Sequence, residues 1–146
     1  MTIDFIIGRK TLVEGDKGDM YFVANNLILP EAPCFPGADR SAHRNVISLP
    51  YHRDSVTRFL NAIGKASPRL RGKLDQTDLT GFKVTKMAVR DAKVAVLLYR
   101  SAHPEAEPDF TGSFAEDFTL ARLELMAWWM RYSFNHFKAL AWVEIS

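Results

Sequence analysis

The longest run of patterned apolar residues lies near the C-terminus, in residues 113–137. The segment contains no proline or glycine, and its apolar side chains recur at helical spacing, so it predicts one long helix. Ser113 stands three residues before Glu116, which is the spacing of a capping box. Asp117 adds a negative charge to the first turn, where the helix dipole favours it. The pattern therefore predicts that this helix begins at Ser113.

The apolar side chains of this helix fall on two stripes when residues are spaced about 100° apart. One stripe comprises Phe118, Ala121, Leu125, Trp128 and Tyr132, and the nearly opposite one comprises Leu123, Met126, Met130, Phe134 and Phe137. Two thin polar strips separate them, formed by Arg122 with Ser133 and by Glu124, Arg131 and Asn135. Large apolar side chains gain about 1.5–3 kcal/mol each on burial. We therefore expect a sheet to cover one stripe and a second helix or a second copy of the protein to cover the other.

Shorter apolar runs elsewhere in the chain predict strands. The predicted strands are residues 2–7, 11–13, 20–29 with an interruption at Asn25-Asn26, 45–49 and 139–145, the last with Leu140, Trp142 and Ile145 facing inward. Residues 14–19 are a turn by composition. Residues 82–90 and 93–100 contain many strand formers and predict a β-hairpin with its turn at Asp91-Ala92.

A second, shorter helix is predicted to begin at Asp54 or Ser55 and to run to about Ala62. Asp54 and Ser55 are residue types that cap helix N-termini, and Gly64 is a candidate C-cap. Ser67-Pro68 predicts one further helical turn, because proline is tolerated at the first helical position.

These elements predict an α+β fold, with a mostly antiparallel sheet packed against one long C-terminal helix and one shorter helix. The 146 residues fit a single domain, residues 1–146. One cysteine, Cys34, excludes an internal disulfide and favours a reducing compartment. The N-terminus lacks the pattern of a signal peptide, and charged residues interrupt the long helix, so we predict a cytoplasmic protein that does not span a membrane.

Charge is unevenly distributed along the chain. Residues 36–73 contain eight Lys/Arg and two acidic residues, a net charge of +6, and residues 101–146 contain three and seven, a net charge of −4. The basic residues that could line a groove for phosphates are Arg40, Arg44, Arg53, Arg58, Lys65, Arg69, Arg71 and Lys73. Such asymmetry is typical of an anionic ligand, nucleic acid included, or of a self-complementary surface, although a solvated face is the commoner meaning.

The string Tyr51-His52-Arg53-Asp54 is the most suggestive short motif. Protein kinases follow such a His-Arg-Asp string with asparagine five residues after the aspartate, but Phe59 occupies that position, so we reject a kinase. His52, Arg53 and the backbone N–H groups of the following helix could bind a phosphate, while capping by Asp54 alone is the simpler interpretation. The predicted ligand-binding residues are Arg40, His43, Arg44, His52, Arg53, Arg69 and Arg71.

Other site chemistries have little support in the sequence. Four scattered histidines and one cysteine do not match a metal-ligand spacing, so we predict no metal and no cofactor. Cys34 lies between Pro33 and Phe35 and is interpreted as a small packed side chain, because a nucleophile would need a base such as His43 or His52 close to it. No serine lies in a glycine-flanked nucleophile elbow.

The leading hypothesis is a non-catalytic binding or inhibitor-type protein, homodimeric through the long helix or a sheet edge. Its partner would be another protein or an anionic ligand, such as a nucleotide or nucleic acid, bound by the basic segment and the loop 30–44. Small accessory proteins of phages and mobile elements often have this kind of sequence, although no motif supports that comparison. The alternative is a small enzyme acting on a phosphate-containing substrate through His52, His43 and nearby arginines. A third hypothesis, an assembly subunit, depends only on the second apolar stripe of the long helix.

Overall fold

One long strand, β1, connects most of the sheet. The computed structural model describes residues 2–33, 43–50, 54–76, 81–105 and 118–146. The strands are β1 (Thr2–Glu14), β2 (Met20–Ala24), β3 (Val46–Pro50), β4 (Phe82–Lys83) and β5 (Ala141–Ile145). The strand order is β2-β1-β5-β4, β3 also pairs with β1, and every pairing is antiparallel. The strands predicted at 2–7 and 11–13 are thus one continuous strand, and residues 15–19 form the predicted turn.

The helices cover one face of the sheet. They are α1 (Ser55–Ala66), α2 (Pro68–Leu74), α3 (Lys86–Ala102) and α4 (Thr119–Phe137). Alternate strand residues are buried in the core beneath them, namely Phe5, Ile7, Ile47, Leu49, Val143 and Ile145. Their neighbours Ile6, Ser48 and Trp142 are half-buried on the opposite face. The inward orientation predicted for Trp142 is therefore wrong. The predicted α+β class, with an antiparallel sheet and its longest helix near the C-terminus, is confirmed.

The hairpin predicted for residues 82–100 is wrong. Only Phe82 and Lys83 form a strand, and residues 86–102 form α3. Thr85 caps this helix, because its side chain accepts a hydrogen bond of 3.1 Å from the Ala88 N–H. Ala88, Ala92, Ala95 and Val96 form its buried stripe at helical spacing.

The helix starts predicted at Asp54 or Ser55 and at Ser67-Pro68 are confirmed, whereas a capping bond from the Asp54 side chain and a C-cap at Gly64 are wrong. Asp54 precedes α1 in a left-handed conformation, with φ of 54°, and its side chain makes no capping bond. The helix continues through Gly64 to Ala66. Ser67 then caps α2, since its Oγ accepts a 3.0 Å hydrogen bond from the Leu70 N–H.

Helix α4 has one broad buried face instead of two separate ones. Arg122, Met126, Trp129 and Ser133 lie on one line along the helix and are at most 5% exposed. Arg122 and Ser133, predicted to form a polar strip, are therefore at the centre of the buried face. The Arg122 Nε donates to the Ser48 carbonyl of β3 at 3.1 Å. Ser113, Glu116 and Asp117, the predicted start of this helix, lie outside the described residues.

Both predicted apolar stripes of α4 are covered by the protein's own chain. Leu123, Met126 and Met130 are at most 1% exposed, and Phe134 and Phe137 pack partly buried against the core. In the other stripe Ala121 and Leu125 are buried, and Phe118, Trp128 and Tyr132 are half-buried, so neither stripe is left fully exposed. Leu140, expected to face inward, lies in a 3₁₀ turn before β5 and is 42% exposed. Among the described helices, none is long and apolar enough to cross a membrane.

Candidate functional site

Helices α1 and α2 carry a strongly basic surface. Residues 55–74 include five basic residues and no acidic one, which gives a net charge of +5. The five are Arg58, Lys65, Arg69, Arg71 and Lys73. Within the described ranges, no carboxylate lies at ion-pair distance from any of them, and the ion pair observed joins Arg100 to Glu124 elsewhere. Asp75 and Asp91 border pockets shared with some of these cations, but the five basic residues outnumber them, so the surface keeps an excess of positive charge.

The junction between α1 and α2 fixes the position of Arg71. The Ser67 N–H donates to the Ile63 carbonyl at 2.8 Å, and the Ser67 carbonyl accepts from the Arg71 N–H at 3.1 Å. Arg71 Nη1 reaches back across α1 and donates to Asn61 Oδ1 at 2.9 Å. At Gly64, a Cβ atom would lie 2.9 Å from Arg71 Cδ, so the glycine makes room for this side chain. Gly64 thus serves close packing between the helices rather than a helix end.

A groove of about 280 Å³ lies between α1 and α3. Its lining residues are Arg58, Asn61, Ala62, Lys65, Leu98, Tyr99, Ala102 and His103. The α1 wall supplies the exposed cations, while the α3 wall supplies an aromatic pair. The Tyr99 and His103 rings are stacked with centroids 4.2 Å apart. Such a groove can hold an anionic group against Arg58 and Lys65, with a planar or apolar group against the α3 wall.

The other two cations of the basic surface lie on the opposite side of α2. Arg69 Nη1 contacts Met87 Sδ at 3.5 Å, and Lys73 Nζ lies 5.6 Å from the centroid of the Phe82 ring. Both side chains line a second groove of about 190 Å³ between α2 and α3, which also includes Asp91. Arg71 does not line this groove and instead borders a separate shallow pocket with Asn61 and Lys65, so the predicted pair Arg69 and Arg71 does not act at one place.

Two further predicted site residues lie beside the sheet. His43 Nδ1 lies 2.7 Å from the Ala32 carbonyl oxygen, and Arg44 Nη2 donates to Asn26 Oδ1 at 3.2 Å. Both contacts are made with the segment that follows β2. Arg40, His52 and Arg53, as well as Cys34, lie outside the described residues.

Sequence reasoning does not find the α3 side of this site. It assigns Tyr99 to a buried strand and His103 to a loop, because it interprets residues 82–100 as a hairpin. The four-residue spacing of this pair places the two rings on one face of a helix, and that signal appears only once the segment is recognised as helical. Arg58 and Lys65, seven residues apart, share a face of α1 for the same reason.

No metal-binding cluster is present in the described ranges, where no three His, Cys, Asp or Glu side chains converge. No protein-family model matches the chain, and no curated protein and no solved structure is significantly similar to it. The chemistry of the basic surface is therefore the main guide to function.

Proposed function

We propose that this protein is a non-catalytic binding protein whose basic α1–α2 surface contacts a phosphate-bearing polyanion, with nucleic acid as the ligand class. The observation that carries the proposal is the local charge of +5 in residues 55–74, with no carboxylate at ion-pair distance from these cations in the described part of the structure. Lysine and arginine bind phosphates and release the counterions condensed on a nucleic acid. That release supplies a large part of binding free energy without any sequence readout.

The spacing of the cations is compatible with a phosphate backbone. Arg58 and Lys65 are seven residues apart on one helix, which corresponds to roughly 10.5 Å along its axis. Successive phosphates on one strand of B-DNA advance by about 3.4 Å along the duplex axis, so the two cations span about three phosphate steps. Phosphate contacts position a protein on a nucleic acid but do not specify a sequence. We therefore expect strong salt dependence and little sequence preference.

The proposal can be tested by fluorescence anisotropy with labelled duplex DNA, single-stranded DNA and single-stranded RNA of mixed sequence. The wild type should bind at low salt, with log K falling linearly with log salt concentration at a slope of about −0.9 for each duplex phosphate contacted. The double variant Arg58→Ala/Lys65→Ala should bind more weakly, and its slope on duplex DNA should be shallower by about 0.9 for each phosphate that it no longer binds.

A matched control removes the same charge elsewhere. Lys17 lies in the β1–β2 turn and Lys83 on β4, and both are exposed. Lys17→Ala/Lys83→Ala should leave affinity and salt slope close to the wild type. Absence of binding at low salt, or equal weakening by the control pair, would refute the proposal.

The enzyme alternative depends on His52, which lies outside the described residues, and on His43, which contacts the segment after β2. It remains an untested prediction. The homodimer, the cytoplasmic location and the assembly-subunit hypothesis also remain predictions, and self-association is no longer supported by an uncovered stripe on α4.

A further inference from the structure

Helix α3 buries its small residues and exposes several of its large apolar ones. Ala88, Ala92 and Ala95 are at most 4% exposed, whereas Met87, Leu97 and Leu98 are 46%, 56% and 44% exposed. A surface helix normally buries its large apolar side chains, because their burial contributes most to stability. The small inward residues allow α3 to approach the core closely. Its three exposed apolar side chains line three different grooves: Met87 the one beside α2, Leu98 the one beside α1, and Leu97 one on its outward side, beside α4.

A groove of about 320 Å³ runs between α3 and α4 along part of this outward side. Its apolar lining includes Val89, Val96 and Ala127, together with the exposed Leu97. Trp128, half-buried, adds an aromatic wall. The Trp128 ring is stacked on Tyr132, with centroids 5.4 Å apart and planes 5° apart, so it is held in place.

The charges at the two ends of this groove differ. Arg100 Nε donates to Glu124 Oε1 at 2.9 Å, so one end is electrically balanced. The other end contains Lys93 and Arg131, both exposed and both lining the same groove. Across the described ranges, neither of these two cations has a carboxylate partner at ion-pair distance. Two unneutralised cations beside an apolar floor form a site for a ligand that combines a carboxylate with apolar side chains.

We propose that the α3–α4 groove docks an acidic amphipathic helix of a protein partner. This site is separate from the α1–α2 basic surface and does not depend on its function. An open apolar groove between two helices can receive the apolar face of a partner helix, whose contacting residues recur three or four positions apart. The partner's apolar side chains would contact Leu97 and Trp128, and its carboxylates would pair with Lys93 and Arg131.

Charge favours a partner of this kind over a second copy of the protein. Four basic residues of α3 are exposed, namely Lys86, Arg90, Lys93 and Arg100, and Asp91 is its acidic residue. A two-fold contact would place these like charges opposite each other, which is unfavourable. A small-molecule ligand is also disfavoured, because small-molecule sites usually bury most of their ligand. Leu97, Lys93 and Arg131 are exposed, so this groove is open to solvent.

The proposal can be tested with a fluorescein-labelled helical peptide of about 18 residues, roughly five helical turns. The peptide carries leucines on one face and glutamates beside them, and a second peptide replaces each glutamate by lysine. In fluorescence anisotropy the acidic peptide should bind the wild type, and the lysine peptide should not. Lys93→Glu/Arg131→Glu should weaken binding by about tenfold or more, because it replaces two attractions by repulsions. Leu97→Ser should weaken it without changing charge.

The matched control is Lys17→Glu/Lys83→Glu, which changes net charge equally at positions away from the groove. It should leave the affinity within about twofold of the wild type, since exposed charges farther away than the Debye length, ~8 Å at physiological salt, are screened. Amide shift changes on adding the acidic peptide should centre on residues 93–97 and 127–131. Failure of the acidic peptide to bind, equal weakening by the control pair, or shifts centred elsewhere would overturn the proposal. A wild type that dimerises in analytical ultracentrifugation, with Leu97→Ser monomeric, would assign the groove to a second copy and also overturn it.

Discussion

At the scale of single residues, Asn45 connects three stretches of backbone in the middle of the sheet. Its side chain is fully buried, and Nδ2 donates to the carbonyls of Ile7 and Asn25, both at 2.8 Å. Its Oδ1 accepts from the Leu27 N–H at 2.9 Å. These hydrogen bonds satisfy backbone groups just after the end of β2 and just before the start of β3, where regular strand pairing is absent. Gly8 faces this junction, and a Cβ there would lie 2.5 Å from Asn25 Oδ1.

We predict that Asn45→Ala lowers the free energy of unfolding by about 2–4 kcal/mol, because it leaves buried backbone groups without partners. Urea unfolding followed by circular dichroism measures the effect. Asn26→Ala is the control, since Asn26 is exposed and its side chain accepts a hydrogen bond from Arg44 rather than joining buried backbone groups. That control should change stability by no more than about 0.5 kcal/mol. Similar destabilisation by both variants would contradict the role given to Asn45.

At the scale of elements, α3 illustrates how a sequence pattern can favour the wrong structure. Val89, Val94 and Val96 have high strand propensity, and that preference supports the hairpin. The alternation of a half-buried strand is absent, however, and Ala88, Ala92 and Ala95 recur at helical spacing. Strand propensity depends strongly on context, so packing of the alanine stripe against the core outweighs it.

We predict that Ala92→Leu destabilises the protein by about 1–3 kcal/mol, because Ala92 is 1% exposed and a larger side chain overpacks the core. Thermal unfolding measures the effect. Arg90→Leu, at an exposed position of the same helix, should change stability by no more than about 0.5 kcal/mol. In a hairpin, Ala92 would lie in an exposed turn, and a tolerated leucine there would support the hairpin instead.

At the scale of the whole molecule, α4 packs across the sheet and beside α3, so residues of the same chain bury most of its broad apolar surface. Met130 is fully buried there. We predict that Met130→Ala lowers the free energy of unfolding by about 2–5 kcal/mol. The decrease should be the same at low and high protein concentration, because an intrachain contact does not depend on association.

Chemical unfolding at two protein concentrations about a hundredfold apart distinguishes packing within one chain from packing between two copies. Stability that is supplied by dimerisation rises with protein concentration. Met20→Ala provides the control, because Met20 is 56% exposed. A destabilisation by Met130→Ala that grows with protein concentration would place α4 in an interface between copies. Such a result would again favour a homodimer formed through the long helix.

The sequence by itself determined the features that depend on local pattern. Alternation at Ile3, Phe5 and Ile7 was enough to place the first strand, and Ser67-Pro68 was enough to begin a helix. The long apolar segment near the C-terminus identified the main helix, and the cluster of basic residues identified the charged region. These signals are local, because strand alternation, caps and helical periodicity are set by neighbours a few residues apart.

Only the tertiary structure decided which surfaces were buried and which charges were brought together. It placed the Arg122 side chain on the buried face of α4, where the Ser48 carbonyl accepts its hydrogen bond. The sequence had predicted that this side chain lies on a polar strip. It also placed Arg69 and Arg71 in different pockets and joined Arg58 and Lys65 to Tyr99 and His103 in one groove. These outcomes depend on contacts between residues far apart in the chain, and burial is a property of such contacts rather than of any single stretch of sequence.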